Sequence, residues 1–194
     1  MEPVPAATAL VIVDVQNDFL PGGALGVPDG DRVIPPLNRC AAAFAAAGRP
    51  VFATRDWHPP DHCSFREQDG PWPPHCIAGT EGAAFAPGLT LPTTAMIIGK
   101  GGRPEADAYS GFDGTDLAQR LRDNGCDDLI VGGLATDYCV RATALDGLRE
   151  GFEVTVLTDA VGAVDVQPGD GERALTEMAN AGCTLTTSQE ICPP

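Results

Sequence analysis

The chain has 194 residues, enough for one well-cored domain and short for two. Twenty-seven acidic against twelve basic residues give a net charge of −15 with no basic cluster, which argues against nucleic acid and anionic membrane as partners. Seven cysteines, an odd number without CxxC pairs, suggest reduced thiols; no basic residue precedes Arg32 and Asp14 interrupts the first apolar run, so neither a signal peptide nor a membrane span is expected and the cytoplasm is the expected location.

Short β-branched runs alternate with alanine- and leucine-rich amphipathic stretches along the chain. TALVIVDV (8–15), PVFATRD (50–56), TAMIIGK (94–100), DDLIVGGL (127–134) and FEVTVLTDA (152–160) read as strands buried on both faces, with TLTTS (184–188) a candidate sixth. Between them DRVIPPLNRCAAAFAAAG, GTDLAQRLRDNG, TDYCVRATALDGLREG and DGERALTEMANAG read as helices, each closing on a glycine suited to a left-handed C-cap. Aspartate or threonine opens several of them as a candidate N-cap. The alternation predicts parallel strands with right-handed crossovers, hence an α/β domain, doubly wound, over residues 1–194. In such sheets ligands sit beyond the carboxyl ends of the strands. From Trp57 to Thr93 proline, glycine and aromatic residues replace any periodicity, and all three histidines lie there. An irregular segment of that length in a compact domain is usually functional.

Five reactive side chains fall at predicted strand ends: Asp14, Asp56, His58, Lys100 and Cys139. Each alone has an ordinary reading: a turn aspartate, a solvated lysine, a cysteine packed as a small apolar residue. Their joint placement favours chemistry. A thiol at a helix N-terminus beside an ammonium is expected to have a lowered pKa and to be the most readily alkylated cysteine, with Asp14 positioned to accept and return its proton. The turn in GLATDYC offers backbone N–H groups to a developing oxyanion. In an extended segment Asp56 and His58, at i and i+2, point to one side, and His75 supplies a third ligand from the long segment. A carboxylate with two imidazoles suits zinc, iron or manganese. His62 reads either as a further ligand or as a hydrogen-bonding anchor for the loop, the second being favoured. Ser64 is open in the same way.

DVQNDFLPGGAL, DWHPPDHCSF, WPPHCIAGTEGAAF, the spacing from Lys100 to the YSGF segment, and GGLATDYCV together resemble the nicotinamidase family of isochorismatase-like cysteine hydrolases. The resemblance implies a six-stranded parallel sheet with helices on both faces and hydrolysis of nicotinamide to nicotinate and ammonia. It implies the triad Asp14, Lys100 and Cys139, and one divalent metal ion held by Asp56, His58 and His75. It places a cis peptide between Leu134 and Ala135, an oxyanion hole at the N–H groups of Ala135 and Cys139, and the substrate against Phe19, Trp72, Tyr109, Leu134 and Ala135. Three alternatives stay open: a related small-amide or isochorismatase-like hydrolase, a catalytically silent ligand-binding relative, and a metal-storage or thiol-buffer role. A homo-oligomer is allowed by the sequence and not required by it.

Overall fold

The structure, a computed structural model, describes residues 4–193. Six strands form one parallel sheet: β1 (Thr8–Val13), β2 (Val51–Asp56), β3 (Met96–Lys100), β4 (Asp128–Leu134), β5 (Glu153–Gly162) and β6 (Thr184–Thr186), in the order β3-β2-β1-β4-β5-β6. The expected α/β architecture, with its six strands, is therefore present. The strands β1, β2 and β4 are buried nearly throughout, as their unbroken apolar runs require. The edge strands depart from the expectation of burial on both faces. In β3 Ile97 is 38% exposed, and β6 is partly open along its length.

Helices cover both faces. On one, α1 (Ile34–Ala46) and the short α5 (Ser188–Ile191) pack Leu37, Cys40, Phe44 and Ile191 against Leu10, Ile12 and Val51. On the other, α2 (Leu117–Asp123), α3 (Arg141–Arg149) and α4 (Asp170–Ala181) bring Leu117, Leu121, Ala144 and Met178 against Ala9, Val11 and Val13. The first helix starts later than the pattern predicts, after a 3₁₀ turn at Gly30–Val33, because Pro35 and Pro36 lack the N–H that only a first turn can spare. The stretch predicted as one helix from Thr136 divides into a π turn, Thr136–Val140, followed by α3. The expected glycine termini are found: Gly48, Gly125, Gly151 and Gly182 all have positive φ.

Of the side-chain caps the sequence suggests, one is found, Thr115 Oγ1 accepting the Leu117 N–H at 3.2 Å at the start of α2; none of the described α-helices has a hydrogen bond to the side chain of its N-cap residue itself. Distant carboxylates serve instead. Asp165 accepts the Gly171 N–H at 2.8 Å in the first turn of α4, and Asp159 accepts the Ser188 N–H at 2.6 Å at the start of α5. The strand order reverses at β1, with β2 and β3 on one side and β4 on the other. The crevice at the carboxyl ends of β1 and β4 is thus where a ligand belongs. The irregular segment after β2 folds over that end, with one 3₁₀ turn at Arg66–Gln68, two isolated bridges within it, His58 to Ile77 and Phe65 to Trp72, and a third, Phe85 to Gln16, that ties it to the chain after β1.

Candidate active site

All five strand-end residues converge on this crevice. Asp14 follows β1, Asp56 ends β2 and Lys100 ends β3, and the parallel register sets Asp56 directly beside Lys100. Cys139 lies in the π turn that β4 feeds. The Lys100 ammonium is 2.9 Å from Asp14 Oδ2 and 3.6 Å from Cys139 Sγ; it donates to the Ala108 carbonyl at 3.1 Å and pairs with Asp56 Oδ1. Burial alone would push the Lys100 pKa down, yet the two carboxylates outweigh it and hold the group well above the ordinary lysine value. Lysine is therefore a fixed charge here.

The thiol behaves otherwise than its sequence context suggests. Cys139 is 6% exposed, and burial pushes its pKa well above that of a free thiol; Lys100 opposes this, while Asp14 and Asp56 reinforce it. The expected lowering considered one cation and a helix end, but the fold adds near-complete desolvation and two carboxylates. Asp14 is raised as well, because desolvation exceeds the pull of Lys100. A proton on the Asp14–Cys139 pair is consequently retained within the site rather than released to solvent. All seven cysteines are free thiols.

Asp56, His58 and His75 form a second constellation with ligand atoms within 4.8 Å of one another. Whether they suit a metal ion is decided by their other hydrogen bonds. His58 Nδ1 is 2.9 Å from the Gly101 carbonyl and His75 Nδ1 is 2.8 Å from the Pro73 carbonyl, so both rings carry their proton on Nδ1 and leave Nε2 as a lone-pair donor. The His58 Nε2 lies 3.5 Å from Asp56 Oδ2, facing the same space. Burial lowers the His58 pKa but Asp56 raises it further, so a divalent ion such as zinc, which suits one carboxylate oxygen and two imidazole Nε2 atoms, would displace a proton there. Gly101 is required for this arrangement: with φ +66, a β-carbon there would sit 2.4 Å from the His58 ring. His62 has neither nitrogen to spare, since Nδ1 contacts Ser64 Oγ at 2.7 Å and Nε2 contacts the Ala106 carbonyl at 3.1 Å. Its favoured reading as a loop anchor agrees with these bonds.

Cys139 and the three residues of the second constellation meet at one narrow cavity of about 40 Å³, lined also by Phe19, Trp72, Tyr109 and Ala135, with Lys100 and Asp14 behind the thiol. Trp72 Nε1 donates to the Tyr109 hydroxyl at 2.9 Å, which fixes the two rings relative to each other. The Leu134–Ala135 peptide is cis. Leu134 differs from expectation, because its side chain does not line the cavity: it is fully buried and points into the core against Gly30 and Gly162. Sequence reasoning missed Tyr138, whose ring meets Trp72 edge-on at 5.2 Å, and Val164, which the buried Asp137 carboxylate positions by accepting the Val164 and Asp165 N–H groups. It also missed two anchors inside DVQNDF. Gln16 clamps the Asp56 backbone on both sides, accepting its N–H at 2.7 Å and donating to its carbonyl at 2.8 Å. Asp18 accepts the Cys76 N–H at 2.7 Å, next to His75. The only advance signal was a run of polar residues immediately after a buried strand.

Comparison with known proteins agrees with this geometry. Residues 8–190 match the Isochorismatase domain. The chain is 42% identical to a nicotinamidase of Escherichia coli (strain K12), over 92% of this chain and 94% of that protein. It is 41% identical to a nicotinamidase/pyrazinamidase of Mycobacterium tuberculosis (strain ATCC 25618 / H37Rv), over 93% and 98%. Among solved structures it superposes on a pyrazinamidase of Pyrococcus horikoshii in complex with zinc with a TM-score of 0.90 and 52% identity, covering 93% of this chain and 99% of that one. A sheet that gathers aspartate, lysine and cysteine at its switch point, and matches across nearly its whole length, marks the chain as a member of the isochorismatase family.

Proposed function

We propose that the protein is a nicotinamidase, hydrolysing nicotinamide to nicotinate and ammonia through a thioester on Cys139. The observation that carries this reading is the shared cavity: Cys139, backed by Lys100 and through it by Asp14, borders the same space as Asp56, His58 and His75, lined further by Phe19, Trp72 and Tyr109. Asp14 takes the thiol proton as Sγ bonds to the carboxamide carbon. The carbonyl oxygen becomes an oxyanion, received by the N–H groups of Ala135 and Cys139. When the C–N bond breaks, Asp14 returns its proton to the departing nitrogen and ammonia leaves. Asp14 then takes a proton from water as the water oxygen attacks the thioester, and Cys139 regains its proton when nicotinate is released. Lys100 remains charged throughout and compensates the carboxylates around it. Asp56, His58 and His75 would hold a divalent ion, zinc first among the candidates, which would supply a Lewis acid for the ring nitrogen of the substrate. No described helix is long and apolar enough to cross a membrane. With a net charge of −15 we place the enzyme in the cytoplasm without nucleic-acid or membrane partners.

The test compares nicotinamide with benzamide, which has the same amide and nearly the same shape but no ring nitrogen. A site that binds a polar atom can reject the analogue lacking it by a factor of roughly 10⁴. Benzamide should be a very poor substrate, and chelation should bring nicotinamide turnover down towards the benzamide level while changing benzamide much less. Parallel loss of both substrates on chelation would instead indicate a metal that generates the attacking hydroxide.

A further inference from the structure

Beyond the triad, Asp14 has a partner that none of the roles above uses. Thr54 on β2 is fully buried, and its hydroxyl donates to Asp14 Oδ1 at 2.6 Å. The other oxygen, Oδ2, is buried and makes no hydrogen bond of acceptable angle among the described residues, although the Lys100 ammonium stands 2.9 Å away. That contact is an ion pair, the ammonium being placed also against Asp56 Oδ1, the Ala108 carbonyl and, at 3.6 Å, Cys139 Sγ. Asp14 is thus asymmetric: Oδ1 accepts the Thr54 hydroxyl, and Oδ2 faces the Lys100 ammonium.

The Thr54 rotamer is held from behind. Its methyl packs on Gly111, where an added β-carbon would come within 2.9 Å of Thr54 Cγ2, and the Gly111 N–H is tied to Thr143 Oγ1 of α3 at 2.9 Å. The backbone of the same residue accepts the Asp14 N–H at 3.2 Å, so main chain and side chain of Thr54 both grip Asp14. A carboxyl that must take a proton and return it twice in each turnover is effective only while one oxygen keeps its aim.

We propose that Thr54 is a positioning residue for the amidase reaction: by occupying Oδ1 it fixes the plane of the Asp14 carboxyl and makes Oδ2 the oxygen that carries the proton between Cys139, the leaving nitrogen and water. The proposal rests on the nicotinamidase reading. Ammonia release by the wild-type protein tests that reading by itself, and the ratio of variant to wild type tests Thr54. Thr54→Val keeps the shape and removes the donor. It should lower kcat about 10- to 100-fold, the loss expected for one hydrogen bond to a charged group, with KM within about threefold and zinc content unchanged. Thr54→Ser keeps the donor and loses the methyl, so kcat should stay within about fivefold of wild type even where the melting temperature falls. If Thr54→Val does not fold, Thr54→Ser against Thr54→Ala, which differ only in the hydroxyl, reads the same effect. A Thr54→Val or Thr54→Ala enzyme with kcat within threefold of its hydroxyl-bearing counterpart, or a Thr54→Ser enzyme as slow as Thr54→Val, would overturn the proposal.

Discussion

Lys100 is 2% exposed and stands between two buried carboxylates, so its removal is costly in a way that no surface lysine would be. Taking away one partner of a buried ionic group leaves uncompensated charge, at roughly 3–5 kcal/mol. Lys100→Met should therefore lose that much stability at neutral pH as well as turnover, measured by urea denaturation of metal-stripped protein. The pH dependence has a definite sign. Burial pushes Asp56 up, but Lys100 and His58 outweigh burial and hold it well below the usual carboxylate range. A depressed carboxylate contributes stability above its unfolded pKa of about 3.9 and loses it as the pH falls. Without Lys100, Asp56 has only His58 to oppose burial, and Asp14 has only the Thr54 bond to oppose burial and the Asp56 charge, so both carboxylates rise and their penalty is relieved as they take up protons. The stability gap between wild type and Lys100→Met should accordingly narrow as the pH falls from about 7 to about 4; a gap that widens would contradict the assigned ion pairs. Cys139→Ala has a simpler expectation. Ammonia release should drop by at least about 10⁴-fold while bound zinc, counted by metal analysis, stays at the wild-type level, because Cys139 is not one of the three ligands.

At the scale of elements, the site depends on how closely β4 approaches β1. Gly133 pairs in register with Val13 and has φ +129, and a β-carbon there would lie 2.1 Å from the Val13 carbonyl oxygen. Nothing flexible is available to move, since the obstacle is backbone. Gly133→Ala should cost about 3–5 kcal/mol in chemical denaturation, at the severe end for single substitutions, because it separates the strands that carry Asp14 and the nucleophile turn. The irregular segment after β2 obeys a different rule. Its backbone bonds are short-range turns and bridges, such as His58 N–H to the Cys76 carbonyl at 3.0 Å and Trp72 N–H to the Ser64 carbonyl at 3.0 Å, and side chains complete the hold: Asp18 on Cys76 beside His75, and the paired Trp72 and Tyr109. Loop residues held in this way can present two histidines at fixed angles without a strand or helix beneath them.

For the whole molecule, the proposed ion would join three ligands from two segments, Asp56 and His58 on one and His75 on the other, and so couple metal binding to folding. An ion that binds only the folded chain stabilises it by about 2.7 kcal/mol when its free concentration is 100 times its Kd. Zinc at that level should raise the melting temperature of the wild type and leave His75→Ala almost unmoved. An equal rise in both would place the ion elsewhere. The gain should vanish on chelation and return on re-addition, since the Nδ1 bonds to Gly101 and Pro73 hold the ligand rings in place without it.

The sequence by itself determined the strands, the glycine-terminated helices and the five reactive positions at strand ends. These follow from local facts: β-branched runs are stiff and pleat well, glycine alone turns left-handed cheaply, and a side chain at the end of a parallel strand has one edge to occupy. Only the tertiary structure decided which of those groups touch. Asp56 and Lys100 are 44 residues apart and Thr54 and Asp14 are 40, so both pairs exist only because β2 lies between β1 and β3. The direction of the Cys139 shift was likewise illegible, because it is governed first by desolvation, a property of everything packed around the thiol rather than of its neighbours in the chain. Leu134 turns into the core and Tyr138 towards the cavity for the same reason: where the chain leaves β4 and enters the π turn, neither strand nor helix periodicity tells which side chain faces the crevice.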